Sequence, residues 1–223
     1  DAPASTDAPA ASGAKLRFVT GGESGTYYAF GGVLASFVSG KSDCKVTALT
    51  SGGSQANVED LTNGNVQLAF VQSDVMNYAY NGQRLFDSPV TGFSVVAQLY
   101  QEQVQIVTTN PDIKTVADLA GKKVSIGAAG SGVYFNAIDV LSAYDLKESD
   151  ISAVYQSFGD SAESLKDGKI DAAFIVAGAP TTAITDLATA GSVYLVSLDD
   201  SHVQSLLAAS PYYTAATIKA GTY

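Results

Sequence analysis

Tryptophan is absent from this sequence, and cysteine, histidine and methionine each occur once. One cysteine cannot form a disulfide within the chain, and one histidine with one cysteine cannot build a zinc site or a Ser-His-Asp triad. We expect Cys44 to be a structural residue at a strand edge and His202 to be solvated at the start of a helix. No catalytic residue and no metal ligand is predicted, so the sequence does not indicate an enzyme.

Positive charge is also scarce. Twelve lysines and arginines stand against 22 acidic residues, which gives a net charge of −10. Only Arg17 and Arg84 are arginines, and no basic cluster occurs. Nucleic acid and anionic membrane surfaces are therefore poor partners, and no nucleic acid is expected to bind. An anionic ligand would have to depend on backbone N–H groups and hydroxyls more than on guanidinium groups.

Long apolar runs are missing, so no membrane-spanning helix is predicted. Residues 1–14 are mostly small residues and proline, which cannot form a core and are typical of a disordered tether. Such a tract commonly follows a cleaved signal or a lipidated cysteine, so we expect a lipid-anchored protein as one hypothesis. A vector-derived remnant is the alternative.

Two stretches of the chain follow one pattern. Ser24-Gly25-Thr26-Tyr27-Tyr28 precedes Leu61-x-x-Gly64-x-Val66-x-x-Ala69-Phe70-Val71, and Ser131-Gly132-Val133-Tyr134-Phe135 precedes Leu165-x-x-Gly168-x-Ile170-x-x-Ala173-Phe174-Ile175. The two glycines are 39 positions apart in the first copy (25 to 64) and 36 in the second (132 to 168). A strand, glycine loop and helix unit is therefore predicted twice, in two similar lobes.

The order of apolar segments predicts the domain organisation. Strands are expected at 16–20, 46–50, 66–71, 93–100, 104–109, 124–126, 153–157, 171–176 and 193–198. Intervening helices, the first with Ser24 or Thr26 as its N-cap, give a βαβαβα order and hence an α/β fold in which each lobe is a mainly parallel sheet flanked by helices. We assign 15–102 plus 198–223 to the first lobe, as an incomplete unit, and 103–197 to the second. Two hinge crossings are expected, near 100–104 and 192–197.

Five loops follow predicted strands, where ligands of α/β sheets collect. They are 21–27, 51–54, 72–74, 127–134 and 177–180. Several are rich in glycine and serine and lie before a helix, whose N-terminus favours an anion by about 0.3–1 kcal/mol. We expect Tyr28 and Phe135 to fill cores. Neither the dinucleotide fingerprint nor the Walker A pattern is matched, so no cofactor is predicted.

Several of these segments resemble one family. They are Gly21-Gly22-x-Ser24-Gly25-Thr26-Tyr27-Tyr28, Gly64-x-x-x-Leu68-Ala69-Phe70-Val71-Gln72-Ser73-Asp74, Gly127-Ala128-Ala129-Gly130-Ser131-Gly132 and Ala177-Gly178-Ala179-Pro180-Thr181. From about Leu16 onward the chain resembles the TAXI solute receptors of tripartite ATP-independent periplasmic (TRAP) transporters, which have the type II periplasmic-binding-protein fold. The segment Val116-Ala117-Asp118-Leu119-x-Gly121-Lys122-Lys123-Val124 is shared more widely among type II binding proteins. Family receptors continue well beyond Tyr223.

The resemblance implies a monomeric extracytoplasmic receptor, periplasmic or at the cell surface. It would capture a small carboxylated solute, with glutamate or glutamine as the expected class, and present it to a TRAP permease. By position, one wall of the site would contain Gly25, Thr26, Tyr27, Ser51, Gln72 and Ser73. The other wall would contain Ser131, Gly132, Val133, Tyr134, Ala177 and Gly178.

Three alternatives remain open at this point. The same fold could serve an ABC-type solute receptor or a sensory ligand-binding module. A third possibility is an enzyme in which Cys44 tethers a cofactor. Replacement of Cys44 by serine should abolish function in that case and leave a binding protein unchanged.

Overall fold

A computed structural model describes residues 13–223 and contains two sheets. The first lobe comprises β1 (Lys15–Val19), α1 (Thr26–Lys41), β2 (Lys45–Leu49), α2 (Ser54–Thr62), β3 (Leu68–Ala69) and α3 (Ser73–Asn81). Its strand order is β2-β1-β3, and both pairs are parallel. The predicted tether lies almost entirely outside the described residues.

The second lobe has a larger, mixed sheet. Its elements are β4 (Gln103–Thr108), β5 (Lys123–Ser125), α4 (Val133–Ala143), β6 (Ser152–Val154), α5 (Phe158–Lys166), β7 (Ala172–Ala177), α6 (Thr182–Ala190), β8 (Tyr194–Leu195) and α7 (Asp200–Ala209). Short 3-10 helices span Val116–Leu119 and Glu148–Asp150. The strand order is β6-β5-β7-β4-β8, in which β4 runs antiparallel to both of its neighbours. Within the described residues, no helix has the length and apolar content needed to cross a bilayer.

The repeat seen in the sequence is present in the structure. Units β1-α1-β2-α2-β3 and β5-α4-β6-α5-β7 each place the first strand between the other two. Helices α2 and α5 are each followed within two residues by a glycine in the left-handed conformation, Gly64 (φ 70°) and Gly168 (φ 66°). Glycine adopts this conformation without a steric penalty, which explains why both copies carry it.

The core of the second lobe is built around β7, whose six residues are all buried. Phe174 packs on one face with Ile106 and Ile126, whereas Ile175 packs on the other with Ile184. Alternate side chains of β7 therefore contact helices on both faces of the sheet, as expected for a central strand covered on both sides.

The predicted strand at 93–100 is wrong. These residues are extended but form no ladder, and Val95 and Val96 are 63% and 86% exposed. A strand is completed by the hydrogen bonds of a neighbour, and no described segment pairs with this run. Apolar character alone was not enough to predict a strand here.

The predicted N-cap of α1, Ser24 or Thr26, was also wrong, because Gly25 occupies that position and makes no side-chain cap.

Helix α7, at the start of the last segment, contacts the second lobe. We expected 198–223 in the first lobe, but Leu206 of α7 packs against the core of the second.

The His202 ring stacks on Tyr144 with centroids 3.7 Å apart, so this histidine is half-buried rather than solvated. Its Nδ1 lies 2.6 Å from Asp199 Oδ2. Hydrogen bonds, first from Ser201 and then from His202, hold the pKa of the Asp199 carboxyl well below its usual range.

The side chain of Asn57 in α2 bridges the ends of two strands of the first lobe. Its buried Nδ2 donates to the carbonyl oxygens of Thr20 at 2.8 Å and Phe70 at 2.7 Å, just beyond the ends of β1 and β3. Replacing Asn57 with alanine leaves both carbonyls unsatisfied, so we expect a loss of about 2 kcal/mol in the free energy of unfolding, measured by urea denaturation. Exposed Asn63, at the end of the same helix, is the matched control. Equal stability of the two alanine variants would contradict this role.

Candidate functional site

Loops from the two lobes meet along one line, which we call the seam. It is formed by loops 21–27, 51–54 and 72–74 of the first lobe and 127–134 and 177–180 of the second. Ala56 N donates to Gly130 O at 3.0 Å, and Thr26 Oγ1 donates to Gly178 O at 3.3 Å. All five loops follow strands, as the sequence predicted, and loops of both lobes contact each other.

Glycines allow the backbones to approach closely at the seam. A Cβ atom at Gly52 would lie 2.7 Å from the carbonyl oxygen of Ala129. A Cβ atom at Gly53, whose φ is 121°, would lie 3.1 Å from Ser131 Cα. Both distances are shorter than ordinary van der Waals contact, so a side chain at either position would push the lobes apart.

Most of the predicted site residues lie at this seam. Gly25 is the N-cap of α1 and faces the Phe158 ring, while Gly132 is the N-cap of α4 and faces Gln72. Ser51 accepts a hydrogen bond from Gly53 N at 3.2 Å and so shapes the loop beside Ser131. The structure thus brings together Gly25, Thr26, Tyr27, Ser51, Gln72, Ser131, Gly132 and Gly178.

Four predicted residues are placed differently. Val133 and Ala177 are buried in the cores of the second lobe. Tyr134 packs on Tyr155 and donates to Glu148 Oε2 at 3.1 Å, within its own lobe. Ser73 is exposed at the first position of α3. Alternation along β7 turns Ala177 into a core, and the helical period of α4 does the same for Val133.

Tyr27 connects the seam to the crossing between the lobes. Its Oη donates to Glu102 Oε2 at 2.9 Å, and its ring packs on Phe70 with centroids 5.0 Å apart. Burial raises the pKa of the Glu102 carboxyl to about 8, with the hydrogen bond from Tyr27 opposing the shift and the charge of Asp74 adding to it. Burial also raises the pKa of Tyr27 well above its usual value. A carboxyl group is therefore held in poorly solvated surroundings.

A second polar group, which we call the cross-lobe network, is centred on Asn136 of α4. Gln72 Nε2 donates to Asn136 Oδ1 at 2.7 Å, and Asn136 Nδ2 donates to Asp74 Oδ2 at 3.0 Å. Asn136 and Asp74 are only 2% and 4% exposed. Burial raises the pKa of Asp74, against hydrogen bonds from the Val75 backbone and Asn136. These contacts join the lobes through buried groups.

The same network continues to the surface. Asn136 Nδ2 also donates to Tyr213 Oη at 2.9 Å, and Tyr213 Oη donates to Asp139 Oδ2 at the same distance. Arg84 Nη2 pairs with the other oxygen of Asp139 at 2.6 Å. One of the two arginines is therefore engaged by a carboxylate, and the other, Arg17, is exposed on β1.

Five buried polar side-chain atoms have no hydrogen-bond partner within the described residues. Ser131 Oγ lies at the seam, Tyr100 Oη and Gln103 Oε1 lie in the crossing between the lobes, and the other two are Asn57 Oδ1 and Gln156 Oε1. Ser131 lies at the seam and is 5% exposed, and Tyr100 is close enough to Glu102 for that carboxylate to raise its pKa after burial. Buried groups of this kind normally have partners, so these atoms are available to a small polar molecule. The predicted site residues did not include Glu102, Asp74 or Asn136, although Asp74 lies in the predicted loop 72–74. Glu102 carried a weak signal, as an acid between two apolar runs, whereas Asn136 carried none.

Solved structures share this architecture. The alkanesulfonate-binding protein of Xanthomonas axonopodis pv. citri, bound to MOPS, aligns with TM-score 0.55 and 22% identity over 84% of this chain and 62% of its own. An amino acid ABC transporter substrate-binding protein of Streptococcus pneumoniae, bound to L-arginine, aligns with TM-score 0.56 and 17% identity over 83% and 76%. The GluR0 ligand-binding core with L-glutamate aligns with TM-score 0.54 and 12% identity over 82% and 79%.

These likenesses confirm the predicted fold class, a two-lobed α/β fold of the periplasmic-binding-protein type. The chain spans about 60% of the length of the alkanesulfonate-binding protein. At the sequence level, the model of the NMT1-like family matches residues 18–223, nearly all of the described part. The chain therefore belongs to the NMT1-like family.

Proposed function

We propose that this protein is an extracytoplasmic solute-binding receptor that captures a small carboxylated solute at the seam between its lobes and delivers it to a membrane transporter. No chemical step is assigned to it. The solute would be held by backbone N–H groups and hydroxyls, and the closed shape would be recognised by the transporter.

The observation that carries this proposal is the meeting of strand-end loops from opposite lobes. The N-termini of α1 and α4 both lie at the seam, at Gly25 and Gly132. Helix N-termini carry unpaired N–H groups and a partial positive charge, which favour a carboxylate. Unpartnered Ser131 Oγ supplies a further donor in the same region. The arrangement therefore supports binding of an anionic group without an arginine.

The finer assignment rests on the resemblance to TAXI receptors. We propose glutamate or glutamine as the solute class and a TRAP permease as the partner, with the protein acting as a monomer, periplasmic or at the cell surface and lipid-anchored through its N-terminal tether. An ABC-type receptor and a sensory module are the alternatives. The fold is also compatible with these alternatives, because an ABC transporter substrate-binding protein and the GluR0 ligand-binding core both share it.

Titration calorimetry tests the solute class. The panel contains L-glutamate, L-glutamine, L-arginine, 2-oxoglutarate, glutarate and a short alkanesulfonate. We expect L-glutamate or L-glutamine to bind most tightly, together with a decrease in the radius of gyration by solution scattering as the lobes close. Failure of every compound to bind would overturn the proposal. Uptake into vesicles that follows an ion gradient supports a TRAP partner, whereas uptake that requires ATP supports the ABC alternative.

A further inference from the structure

We propose that Glu102 binds the ammonium group of the solute and makes the receptor select amino acids over their deaminated analogues. This inference rests on the proposed function and specifies the chemistry of the same site. It assigns a role to a residue in the crossing between the lobes, outside all five strand-end loops.

Glu102 lies beside the seam. Its Oε2 accepts from Tyr27, and the adjacent residue on α1, Thr26, contacts Gly178 of the opposite lobe. Within residues 13–223, Glu102 Oε1 has no hydrogen-bond partner. One oxygen is therefore fixed by the protein, and the other is available to a donor on a ligand.

The surroundings of Glu102 are aromatic. The rings of Tyr27 and Tyr100 lie with centroids 6.5 Å apart, nearly edge to face, and Tyr100 also packs edge-on against Phe30 at 5.8 Å. Tyr100 Oη is buried and unpartnered. Aromatic rings beside a carboxylate favour a cation, because ring faces attract positive charge and replace part of its hydration. This combination suits an alkylammonium group better than an anion.

The charge balance at Glu102 points the same way. Among the described residues, the groups that act on this carboxyl are Tyr27 on α1 and Asp74 on α3, and its own charge acts on Tyr100. None of the three is basic. Removing a carboxylate from water without a counter-charge is costly, and an ammonium group from a ligand would supply that charge. A purely anionic solute, such as a dicarboxylate, supplies no counter-charge and is repelled by Glu102 whenever this carboxyl is ionised.

An α-amino acid satisfies both halves of the site. Its carboxylate is complementary to the helix N-termini at Gly25 and Gly132, and its ammonium group is complementary to Glu102. Both groups sit on one carbon atom, so the two sets of contacts fix the orientation of the solute. Specificity then depends on the ammonium contact as well as on the side chain of the solute.

A glutamine substitution separates this role from a structural one. In Glu102→Gln the amide oxygen still accepts the hydrogen bond from Tyr27, but the charge is lost. If Glu102 served only to hold Tyr27, the variant would bind every solute as the wild type does. Exposed Glu59 on α2, changed to glutamine, is the matched control, since it loses the same charge far from the crossing.

The experiment compares L-glutamine with glutaramate and L-glutamate with glutarate, pairs that differ by the ammonium group. We expect wild type and Glu59→Gln to bind the amino acid at least tenfold more tightly than its analogue. Glu102→Gln should reduce that ratio to about one, and Glu102→Asp should restore part of it. Thermal melts establish that each variant is folded. A ratio unchanged in Glu102→Gln would overturn the inference, and wild type that binds neither class would overturn the proposed function itself.

The pH dependence of binding is a second measurement on the same variants. Without solute, burial raises the pKa of the Glu102 carboxyl to about 8. Below that pH the carboxyl is mostly protonated and must release its proton to pair with an ammonium group. Affinity of the wild type for the amino acid should therefore rise between pH 6 and pH 8, with proton release detected in buffers of different ionisation enthalpy. Glu102→Gln should lose this dependence. Equal pH profiles of the two proteins would contradict the proposal.

Discussion

Replacing Gly52 with alanine is expected to weaken solute binding about 100-fold. The new Cβ would lie 2.7 Å from the carbonyl oxygen of Ala129 in the opposite lobe, and a backbone atom cannot move aside as a flexible side chain can. Overpacking of this kind costs about 3 kcal/mol, and that cost falls on the arrangement in which the two loops are in contact. Because the φ angle of Gly52 lies outside the left-handed region, the variant should fold normally.

Titration calorimetry with the tightest ligand of the panel measures this effect, and solution scattering measures whether the lobes still close. Gly32 on α1 is the matched control, because nothing lies within 4 Å of a Cβ atom there. Alanine at Gly32 should leave affinity unchanged and raise helix stability by up to about 1 kcal/mol. Wild-type affinity in Gly52→Ala would show that the close approach at the seam has no part in binding.

Replacing Asn136 with alanine is expected to cost about 2–4 kcal/mol in the free energy of unfolding. The change removes a donor from buried Asp74 and an acceptor from Gln72, and it breaks the cross-lobe network at its centre. A buried carboxyl that loses a hydrogen bond is destabilised most when it is ionised. The loss should therefore exceed that of an ordinary surface substitution by several-fold.

The sign of the pH dependence follows from Asp74, whose pKa is already raised by burial. A raised pKa gives stability at low pH that is lost as pH rises through the value in the folded protein, and loss of Asn136 raises it further. The free energy of unfolding of the variant should therefore be closer to that of the wild type at pH 4 than at pH 8, as measured by urea denaturation. Alanine at exposed Asn81, at the end of α3, is the control. Equal losses at the two pH values would contradict ionisation of Asp74 as the cause.

The repeated lobes were predictable because their signals are local. Glycine before a helix and glycine after the next one mark backbone positions fixed within a few residues, and Gly25, Gly64, Gly132 and Gly168 lie where the spacing placed them. The βαβ order likewise predicted parallel pairing, which β1 makes with β2 and β3 and β5 makes with β6 and β7. Helices were expected after most of the strands, and the described residues contain seven α-helices.

Features that depend on distant partners were not predictable. The run at 93–100 has the composition of a strand, but no described segment pairs with it. Helix α7 packs on α4 through the stacking of His202 on Tyr144, a contact that no sequence spacing predicts. Asn136 and Asp74 lie 62 positions apart, and Glu102 and Tyr27 lie 75 apart. Such pairs are fixed only when distant segments of the chain meet, so a pattern within one segment carries no information about them.

Strand β4 has a consequence for how this protein is made. It is the first strand of the second lobe to leave the ribosome, yet it lies between β7 and β8, and Gln103 pairs with Ala177, 74 positions later. Its apolar residues therefore remain unpaired in the growing chain until β7 has been synthesised. Sheets closed by such distant partners form slowly, and an apolar strand left unpaired in an unfinished chain is prone to aggregate.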